Sequence, residues 1–314
     1  MGKSLTKYVC YTEERKMGRG SYTGADWAKL RHSSKITEES TASQIFTSRQ
    51  MEERFNPKFI NVREARDNED HPESTPIMIG LDVTGSMGYL SAEIAKNGLN
   101  ETMMKIYSTN PVKDPQMMFA AIGDVEDDAP LQVTQFESDI RIAEQLLALW
   151  LEGRGGDAPE DFELLWYFAA KHVQIDAFDK RGQKGFLFTI GDADVHPFLK
   201  KPHIEKIFGE KDEDYSSLRL AKMAEEKFEL FHIHIYQNEN RVPKYFGEII
   251  PGRVLCIPKT AVNVLPEIII TVMQLVNGDD EKKVISQWSE LAQPIVKNAI
   301  KNLVIKKKKK GLFF

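Results

Sequence analysis

The stretch IMIGLDVTGSMGYL, residues 77–90, decides the fold of this 314-residue chain. Its apolar run, residues 77–81, ends in Asp82, and hydroxyl side chains follow at Thr84 and Ser86. A short apolar run that stops at turn residues is typical of a buried strand, and the residues after Ser86 have the pattern of a helix. The stretch therefore predicts a strand, a tight turn and a helix, with three side-chain oxygens at alternate positions of the turn.

The composition is that of a globular protein, with 41% hydrophobic and 28% charged residues. A net charge of −5 gives no general reason to expect nucleic-acid binding. Cys10 and Cys256 have no metal or redox spacing, which favours a reducing, cytoplasmic compartment. The longest apolar run, Val264 to Val276, contains Pro266 and Glu267, so it predicts a packed helix rather than a membrane span.

The chain divides into three segments by composition. Residues 1–75 are polar and carry too few apolar positions for a core, so we expect them to be disordered or docked on a partner, and whether they fold on this chain or on another stays open. Residues 76–277 alternate between strand-like and helix-like runs and predict one folded domain. Residues 278–314 predict a C-terminal helix over 280–305, followed by the basic tail Lys306–Lys310.

The alternation in the middle segment predicts an α/β fold. Strands separated by helices form a mostly parallel sheet that is covered on both faces. One strand pair, 117–122 and 131–136, lacks an intervening helix and predicts an antiparallel strand at one edge. The expected architecture is doubly wound, because crossover connections are right-handed. The strand-like runs lie at 77–81, 117–122, 131–136, 185–190, 230–236 and 253–257, and the helix-like runs at 88–107, 139–150, 159–173, 216–227 and 264–275.

Three acidic turns follow strands or precede helices in this arrangement. Asp82 ends the first strand, EGRGGDAPEDF spans residues 152–162, and FLFTIGDADVHP spans residues 186–197. Ligands in doubly wound folds bind beyond the carboxyl ends of the strands, where the strand order reverses. We therefore expect the three turns to meet at one edge of the sheet.

The residue types in these turns predict a site for a hard cation. Carboxylates and hydroxyls are the oxygen ligands that suit Mg²⁺, with Mn²⁺ as the alternative, and the absence of His and Cys argues against zinc. The candidate ligands are Asp82, Thr84, Ser86 and Asp192, with Asp157 bound directly or through water. Without a cation such clustered carboxylates repel, and one of them takes up a proton.

Each turn also has a purely structural interpretation. Residues 82–86 can form a simple strand-to-helix turn, with Ser86 as the helix N-cap. Asp157 and Glu160 have the spacing of a capping box, with Glu160 at the third position of a helix that starts at Pro159. Capping and metal binding can use different oxygens of Asp157, so both interpretations stay open.

The turns together resemble the von Willebrand factor A domain family over residues 76–277. DVTGSM resembles the metal-ion-dependent adhesion site (MIDAS) motif of that family, Asp-x-Ser/Thr-x-Ser. GRGGDAPED resembles its second loop, FAAIGD its third-strand region, and TIGDAD the turn after its fourth strand. The resemblance implies a Rossmann-like fold and a metal site at Asp82, Thr84, Ser86, Asp157 and Asp192.

The sequence departs from the family pattern in each loop. Thr84 replaces the commoner Ser, Asp157 stands where Thr is usual, and Gly191-Asp192 stands where Thr-Asp is usual. These differences affect the charge balance and affinity of the metal site rather than the fold.

The resemblance implies a binding protein rather than an enzyme. In this family the metal keeps an open position that a carboxylate of the partner fills, so we expect a partner protein that donates Asp or Glu. The alternative is a metal-dependent hydrolase of the haloacid-dehalogenase type, which also places Asp at the end of the first strand. That class needs a second Asp where Thr84 stands, and a lysine that these turns do not supply.

Overall fold

A computed structural model describes residues 20–154 and 159–305, except the side chain of Ser86. Its strands are β1 (Arg63–Ala65), β2 (Thr75–Asp82), β3 (Pro115–Ile122), β4 (Leu131–Val133), β5 (Val173–Ile175), β6 (Gly185–Gly191), β7 (Phe198–Leu199), β8 (Tyr215–Ser216), β9 (Phe228–Tyr236) and β10 (Val254–Pro258).

Its α-helices alternate with these strands. They are α1 (Gly24–Ser33), α2 (Ala42–Ile45), α3 (Gly88–Glu93), α4 (Leu99–Thr109), α5 (Arg141–Leu147), α6 (Glu163–Lys171), α7 (Asp176–Arg181), α8 (Lys201–Phe208), α9 (Ser217–Lys227), α10 (Lys244–Ile249), α11 (Leu265–Val276), α12 (Glu281–Ser286) and α13 (Ala292–Ile300). A π-helical turn, Ile94–Gly98, joins α3 to α4. The predicted helix over 88–107 is therefore confirmed as one nearly continuous helical segment.

The central sheet has six strands in the order β10-β9-β6-β2-β3-β4. Neighbours from β10 to β3 are parallel, whereas β4 pairs antiparallel with β3 through Ala120 and Val133. The predicted doubly wound, mostly parallel sheet with one antiparallel edge strand is thus confirmed. The strand order reverses at β2, since β3 lies on one side and β6 on the other. The crevice between the carboxyl ends of β2 and β6 is therefore the topological switch point.

Strand β2 is buried on both faces, as its apolar sequence requires. Ile77, Ile79 and Leu81 point into one hydrophobic cluster, and Met78 points into the other. Helices α3, α4, α11 and α13 supply the first cluster, and α6, α8 and α9 supply the second. Burial on both faces places the end of β2 in the middle of the molecule.

Among the described residues, the helical stretch Lys259–Val276 is long and apolar enough to cross a membrane, by length and composition. Buried residues make up 72% of it. Its α11 part packs in the first hydrophobic cluster, as the sequence predicted for Val264–Val276.

Residues 20–75 fold on their own chain, which is the alternative that the sequence left open beside disorder and docking on a partner. Tyr22, Trp27, Phe46 and Phe55 are buried in the first hydrophobic cluster of the same chain. The segment has few apolar side chains, but a surface formed by the rest of the chain receives them, so the segment needs no core of its own. Residues 1–19 lie outside the described part, and the division of the chain at 75 and 277 stays a prediction.

The single helix expected over 280–305 is also wrong, because the chain forms α12 and α13 with a break between them. Pro294 lies in the first turn of α13. Proline lacks the amide proton that a continuing helix needs, and its ring clashes with the carbonyl group four residues earlier. The tail Lys306–Lys310 lies outside the described residues.

The last residue of β6, Gly191, has no room for a side chain. A Cβ atom at this position would lie 2.5 Å from the Phe162 ring and 3.0 Å from both Cβ and Oδ2 of Asp82. The glycine therefore allows the Asp82 carboxylate and the Phe162 ring to lie against the end of β6. A side chain as large as that of Thr would not fit at position 191 without moving these neighbours.

Truncating the tryptophan of the N-terminal segment should destabilise the whole domain. Trp27 is 4% exposed, so Trp27→Ala should lower the free energy of unfolding by about 3–5 kcal/mol in urea denaturation. Phe59 is 60% exposed in the same segment, and Phe59→Ala should change it by less than about 1 kcal/mol. Equal, small effects would mean that the segment is not docked in solution.

Adding one methyl group at Gly191 should also be costly. Gly191→Ala should lower the free energy of unfolding by about 1–3 kcal/mol, because the Phe162 ring and Asp82 must move. Gly88→Ala is the matched control, since its Cβ would meet nothing within 4 Å. Alanine suits the helical backbone there, so the control should be neutral or up to about 1 kcal/mol more stable by calorimetry.

Candidate metal centre

The predicted carboxylates Asp82 and Asp192 lie at the ends of neighbouring strands. Asp82 is the last residue of β2, and Asp192 follows Gly191, the last residue of β6. The two strands are in register through the pair Leu81 and Ile190, so their ends are level. The structure thus brings the two acids together at the switch point.

Asp82 is fully buried, and its two carboxylate oxygens have different surroundings. Oδ1 accepts hydrogen bonds from the backbone N–H of Thr84 at 2.9 Å and from its hydroxyl at 2.7 Å. Oδ2 is buried and has no hydrogen-bond partner. Burial raises the pKa of Asp82 to about 6; the charge of Asp192 also raises it, whereas the Thr84 bonds and the nearby Asp192 backbone amide lower it. Thr84 therefore orients one oxygen of this carboxylate, while the other lies near the Asp192 amide without a hydrogen bond of good geometry.

The second loop lies against the turn that follows β2. The Gly85 amide donates to the Arg154 carbonyl at 2.7 Å. The Arg154 guanidinium is exposed and pairs with Glu152, with Nε and Oε1 3.1 Å apart. The one basic side chain of these turns thus pairs with another acid. Asp157 and the Ser86 side chain lie outside the described part of the structure, so their roles as ligands stay predictions.

Glu160 is a site residue that the sequence interpretation missed. The prediction of a helix from Pro159 is wrong, since α6 begins at Glu163. Glu160 instead forms a short parallel bridge with Val195, and its amide donates to the Asp194 carbonyl at 2.8 Å.

The Glu160 carboxyl group lies beside the predicted ligands. Its side chain is buried, and Oε2 has no hydrogen-bond partner. Burial and then the charge of Asp82 raise the pKa of Glu160 to about 8, while the Thr84 hydroxyl lowers it. The sequence signal was present, because Glu160 belongs to the acidic turn GGDAPED, but the capping-box pattern assigned it to a helix.

Two further acids of the rim have structural roles. Asp194 accepts the amide protons of Tyr245 at 2.8 Å and Phe246 at 3.0 Å, so it caps the start of α10. Asp124 accepts the Glu126 amide at 2.7 Å within its own loop. Both carboxylates are thus held by backbone amides in turns rather than turned to a shared ligand.

A pair of carboxyl groups lies behind the rim. Asp161 accepts the Val125 amide at 2.8 Å, which ties the loop after β3 to the start of α6. Glu163 is fully buried, and burial followed by the charge of Asp161 raises its pKa well above the usual range. Glu163 is therefore held in its neutral form behind the rim.

His232 and His234 share one strand, and His232 packs as a core residue. His234 is half-buried and pairs in register with Gly191 at the end of β6; burial lowers its pKa, while the nearby charges of Asp192 and Asp194 raise it. The His232 ring stacks on Phe246 with centroids 3.6 Å apart, and Nδ1 lies 2.9 Å from the Thr189 hydroxyl. Burial lowers the pKa of His232 well below its usual value, so the ring is neutral.

The oxygen atoms present fit a hard cation. Neither Asp82 nor Glu160 forms a salt bridge with a basic side chain among the residues that the structure describes. Within 20–154 and 159–305, no group of three or more His, Cys, Asp and Glu side chains is arranged to hold a metal. The described part of the predicted set consists of two carboxylates and the Thr84 hydroxyl, a donor set for Mg²⁺ or Mn²⁺ rather than zinc.

No family model matches this sequence, and no curated protein matches it significantly. Solved structures are similar to it at low identity. One is the pilus adhesin SpaC of Lactobacillus rhamnosus GG in an open conformation, with 10% identity and a TM-score of 0.42. The match covers 76% of this chain and 31% of the adhesin.

Two other solved structures are similar to this chain. The mussel byssus proximal thread matrix protein 1, with a zinc-occupied MIDAS motif, matches with 10% identity and a TM-score of 0.43, over 68% of this chain and 49% of its own. A von Willebrand factor type A protein from Catenulispora acidiphila matches with 14% identity and a TM-score of 0.36, over 64% of this chain and 42% of its own. The chain therefore spans less than half the length of each of these three proteins.

Proposed function

We propose that this protein is a metal-dependent protein-binding module. A Mg²⁺ ion, or Mn²⁺, binds in the crevice between β2 and β6 and captures an Asp or Glu side chain of a partner protein. Asp82, Thr84, Ser86 and Asp192 hold the ion, with Asp157 bound directly or through water. The observation that carries this proposal is the fully buried Asp82 carboxylate whose Oδ2 atom has no hydrogen-bond partner.

A buried ionised carboxylate is costly unless a hydrogen bond, an ion pair or a metal compensates it. Thr84 compensates Oδ1 with two hydrogen bonds, which also fix the orientation of the carboxylate. A divalent cation at Oδ2 would compensate the second oxygen and offset the repulsion from Asp192. This is the arrangement in which hydrogen-bonded groups orient a metal ligand.

Glu160 strengthens the attraction for a cation. Its buried carboxyl group lies close enough for the charge of Asp82 to raise its pKa. A divalent ion would favour the ionised form of both groups, since an opposite charge nearby stabilises a carboxylate. We assign Glu160 to hydrogen bonding with a water molecule on the ion, through its unpartnered Oε2.

The partner's carboxylate would fill the ligand position of the ion that the protein leaves open. Mg²⁺ prefers six oxygen ligands and usually keeps some waters, so a set of four or five protein oxygens leaves an exchangeable position. Asp192 is only half-buried, so the crevice opens to solvent on its side. Loops at a sheet edge are the usual positions of binding residues, and they would supply partner specificity here.

The hydrolase alternative is less favoured by the geometry. Thr84 stands where that class needs its second acid, and its hydroxyl is bonded to Asp82. A lysine does lie at the rim, because Lys259 contacts the Tyr89 ring. An assay of phosphate release from generic phosphoesters with Mg²⁺ separates the two classes, and we expect no turnover. Turnover that Asp82→Asn abolishes would favour the hydrolase.

Removing the charge of Asp82 should abolish ion binding without unfolding the protein. Asp82→Asn keeps an oxygen that can accept the hydrogen bonds from Thr84. We expect its Mg²⁺ affinity in titration calorimetry to fall by at least about 100-fold, which is more than the loss of a group that only hydrogen-bonds to a metal ligand would cause. In wild type, Mg²⁺ at 100 times its dissociation constant should add about 2.7 kcal/mol to the free energy of unfolding. The variant should lose this gain.

Asp128→Asn is the control for that measurement, since this rim carboxylate is 70% exposed and points to Arg154. It should bind Mg²⁺ like wild type. Glu160→Gln should bind about tenfold more weakly, as expected for a group that acts through a bound water. If Asp82→Asn binds Mg²⁺ as well as wild type does, the proposed site is wrong.

Partner binding should depend on the same ion. Proteins retained by the immobilised chain in Mg²⁺ should be released by a chelator and should not bind Asp82→Asn. Replacing the contacting acid of an identified partner by its amide should weaken the complex by about 2–5 kcal/mol in calorimetry. A partner held equally with chelator would show that its surface lies elsewhere on the molecule.

A further inference from the structure

Beside the proposed ion site, Tyr89 presents a hydroxyl group with no protein partner. Tyr89 is the second residue of α3, which follows the turn that carries Thr84 and Ser86. The residue is half-buried, and its Oη atom is buried without a hydrogen-bond partner. An unpartnered buried hydroxyl is costly unless a ligand or water completes its bonding.

The Tyr89 hydroxyl lies close enough to the acidic crevice for the charges of Asp192 and Asp82 to act on it, and it remains protonated. Burial, then the charges of Asp192 and Asp82, raise the pKa of Tyr89 to about 12. The phenol is therefore a hydrogen-bond donor at the edge of the site.

The Lys259 ammonium group lies over the ring of this tyrosine. Its Nζ atom is 4.1 Å from the centroid of the Tyr89 ring, a cation–π contact. Lys259 directly follows β10, the strand at one edge of the central sheet, so it reaches the rim from that edge. The lysine is exposed, and within the described residues it forms no salt bridge with a carboxylate. The rim thus carries a positive charge without an acidic partner next to an unpartnered O–H donor.

We propose that Tyr89 and Lys259 form the second half of the partner site and bind the carboxylate that the ion captures. One carboxylate oxygen of the partner binds the ion, and the other accepts a hydrogen bond from the Tyr89 hydroxyl. Lys259 holds the ring in place and adds its positive charge. This inference rests on the proposed function and extends it to the groups that select a carboxylate.

The arrangement explains how an acidic crevice can accept an acidic side chain. The ion would balance part of the charge of Asp82 and Asp192, and the exposed Lys259 supplies a further positive charge at the edge of the site. A neutral amide side chain would gain no attraction from the charge of the lysine. Its hydrogen bond from the phenol would also be weaker, because the acceptor carries no charge. Selectivity for Asp or Glu over Asn or Gln follows from these two groups.

The test uses Mn²⁺ in the site and the peptide acetyl-Gly-Asp-Gly-amide as the probe, with the Asn peptide as its control. Bound Mn²⁺ broadens the NMR signals of a peptide that coordinates nearby, so even millimolar affinities are measurable. Tyr89→Phe keeps the ring under Lys259 and removes the hydroxyl alone. We expect it to weaken the Asp peptide about tenfold, the usual effect of losing a hydrogen bond to a charged group.

Lys259→Met should weaken the Asp peptide severalfold and reduce the salt dependence of its binding, because a charge is lost. Both variants should bind Mn²⁺ within about twofold of wild type, and Tyr89→Phe should be no less stable to heat. The matched controls are Tyr245→Phe and Lys244→Met, a second lysine–tyrosine pair with Nζ 5.3 Å from the ring centroid. Tyr245 packs against the other hydrophobic cluster, so its variants should bind the peptide like wild type.

The outcomes separate this inference from the proposed function. If wild type binds no Mn²⁺, both fail. If wild type binds Mn²⁺ and does not bind the Asp peptide in preference to the Asn peptide, carboxylate capture is wrong. If wild type prefers the Asp peptide and Tyr89→Phe binds it equally well, the ion site stands and the role of Tyr89 is overturned.

Discussion

The burial of one carboxylate, that of Asp82, is the constraint on which the rest of the structure depends. β2 must lie between β3 and β6 for its end to reach the switch point. Gly191 must lack a side chain there, because a Cβ would meet both Asp82 and the Phe162 ring. The hydrogen bonds from Thr84 then orient one oxygen and leave the other unsatisfied. A packed core thereby holds a buried carboxylate in a fixed orientation at the carboxyl edge of the sheet.

The sheet could be predicted from the sequence because burial on both faces is visible in the sequence itself. The apolar run of β2 and the strand pair without a helix both have direct structural causes. The N-terminal segment could not be predicted in this way. Trp27 and Phe55 are isolated apolar residues without helical or strand spacing, and what buries them is the surface of the domain. Such tertiary burial has no signature in local periodicity.

The candidate site, too, was predictable only in part. Asp82 and Asp192 end strands, so the topology alone brings them together. Glu160 satisfied a local capping rule, but its bridge to Val195 decides its conformation instead. The meeting of Tyr89 and Lys259 depends on how the turn after β10 packs over α3, and no spacing in the sequence encodes it. Contacts between distant segments are therefore where sequence reasoning failed, and they are also where the site gains its further groups.

In the proposed function, the acidic crevice and the positive edge would both be needed to bind a carboxylate. Without an ion, the charges of Asp82 and Asp192 make the crevice repel any carboxylate, whereas Glu160, with its pKa raised to about 8 by burial and the charge of Asp82, is protonated at neutral pH. The single charge of Lys259 is screened by solvent because the lysine is exposed. With an ion bound as proposed, the same carboxylates would hold a cation in a partly desolvated crevice, where its attraction for an anion is stronger than in water. A partner's carboxylate would then meet the ion, the phenol and the lysine at once. Binding of the partner would thus depend on the ion, because the fold places negative charge at the centre of the site and positive charge at its edge.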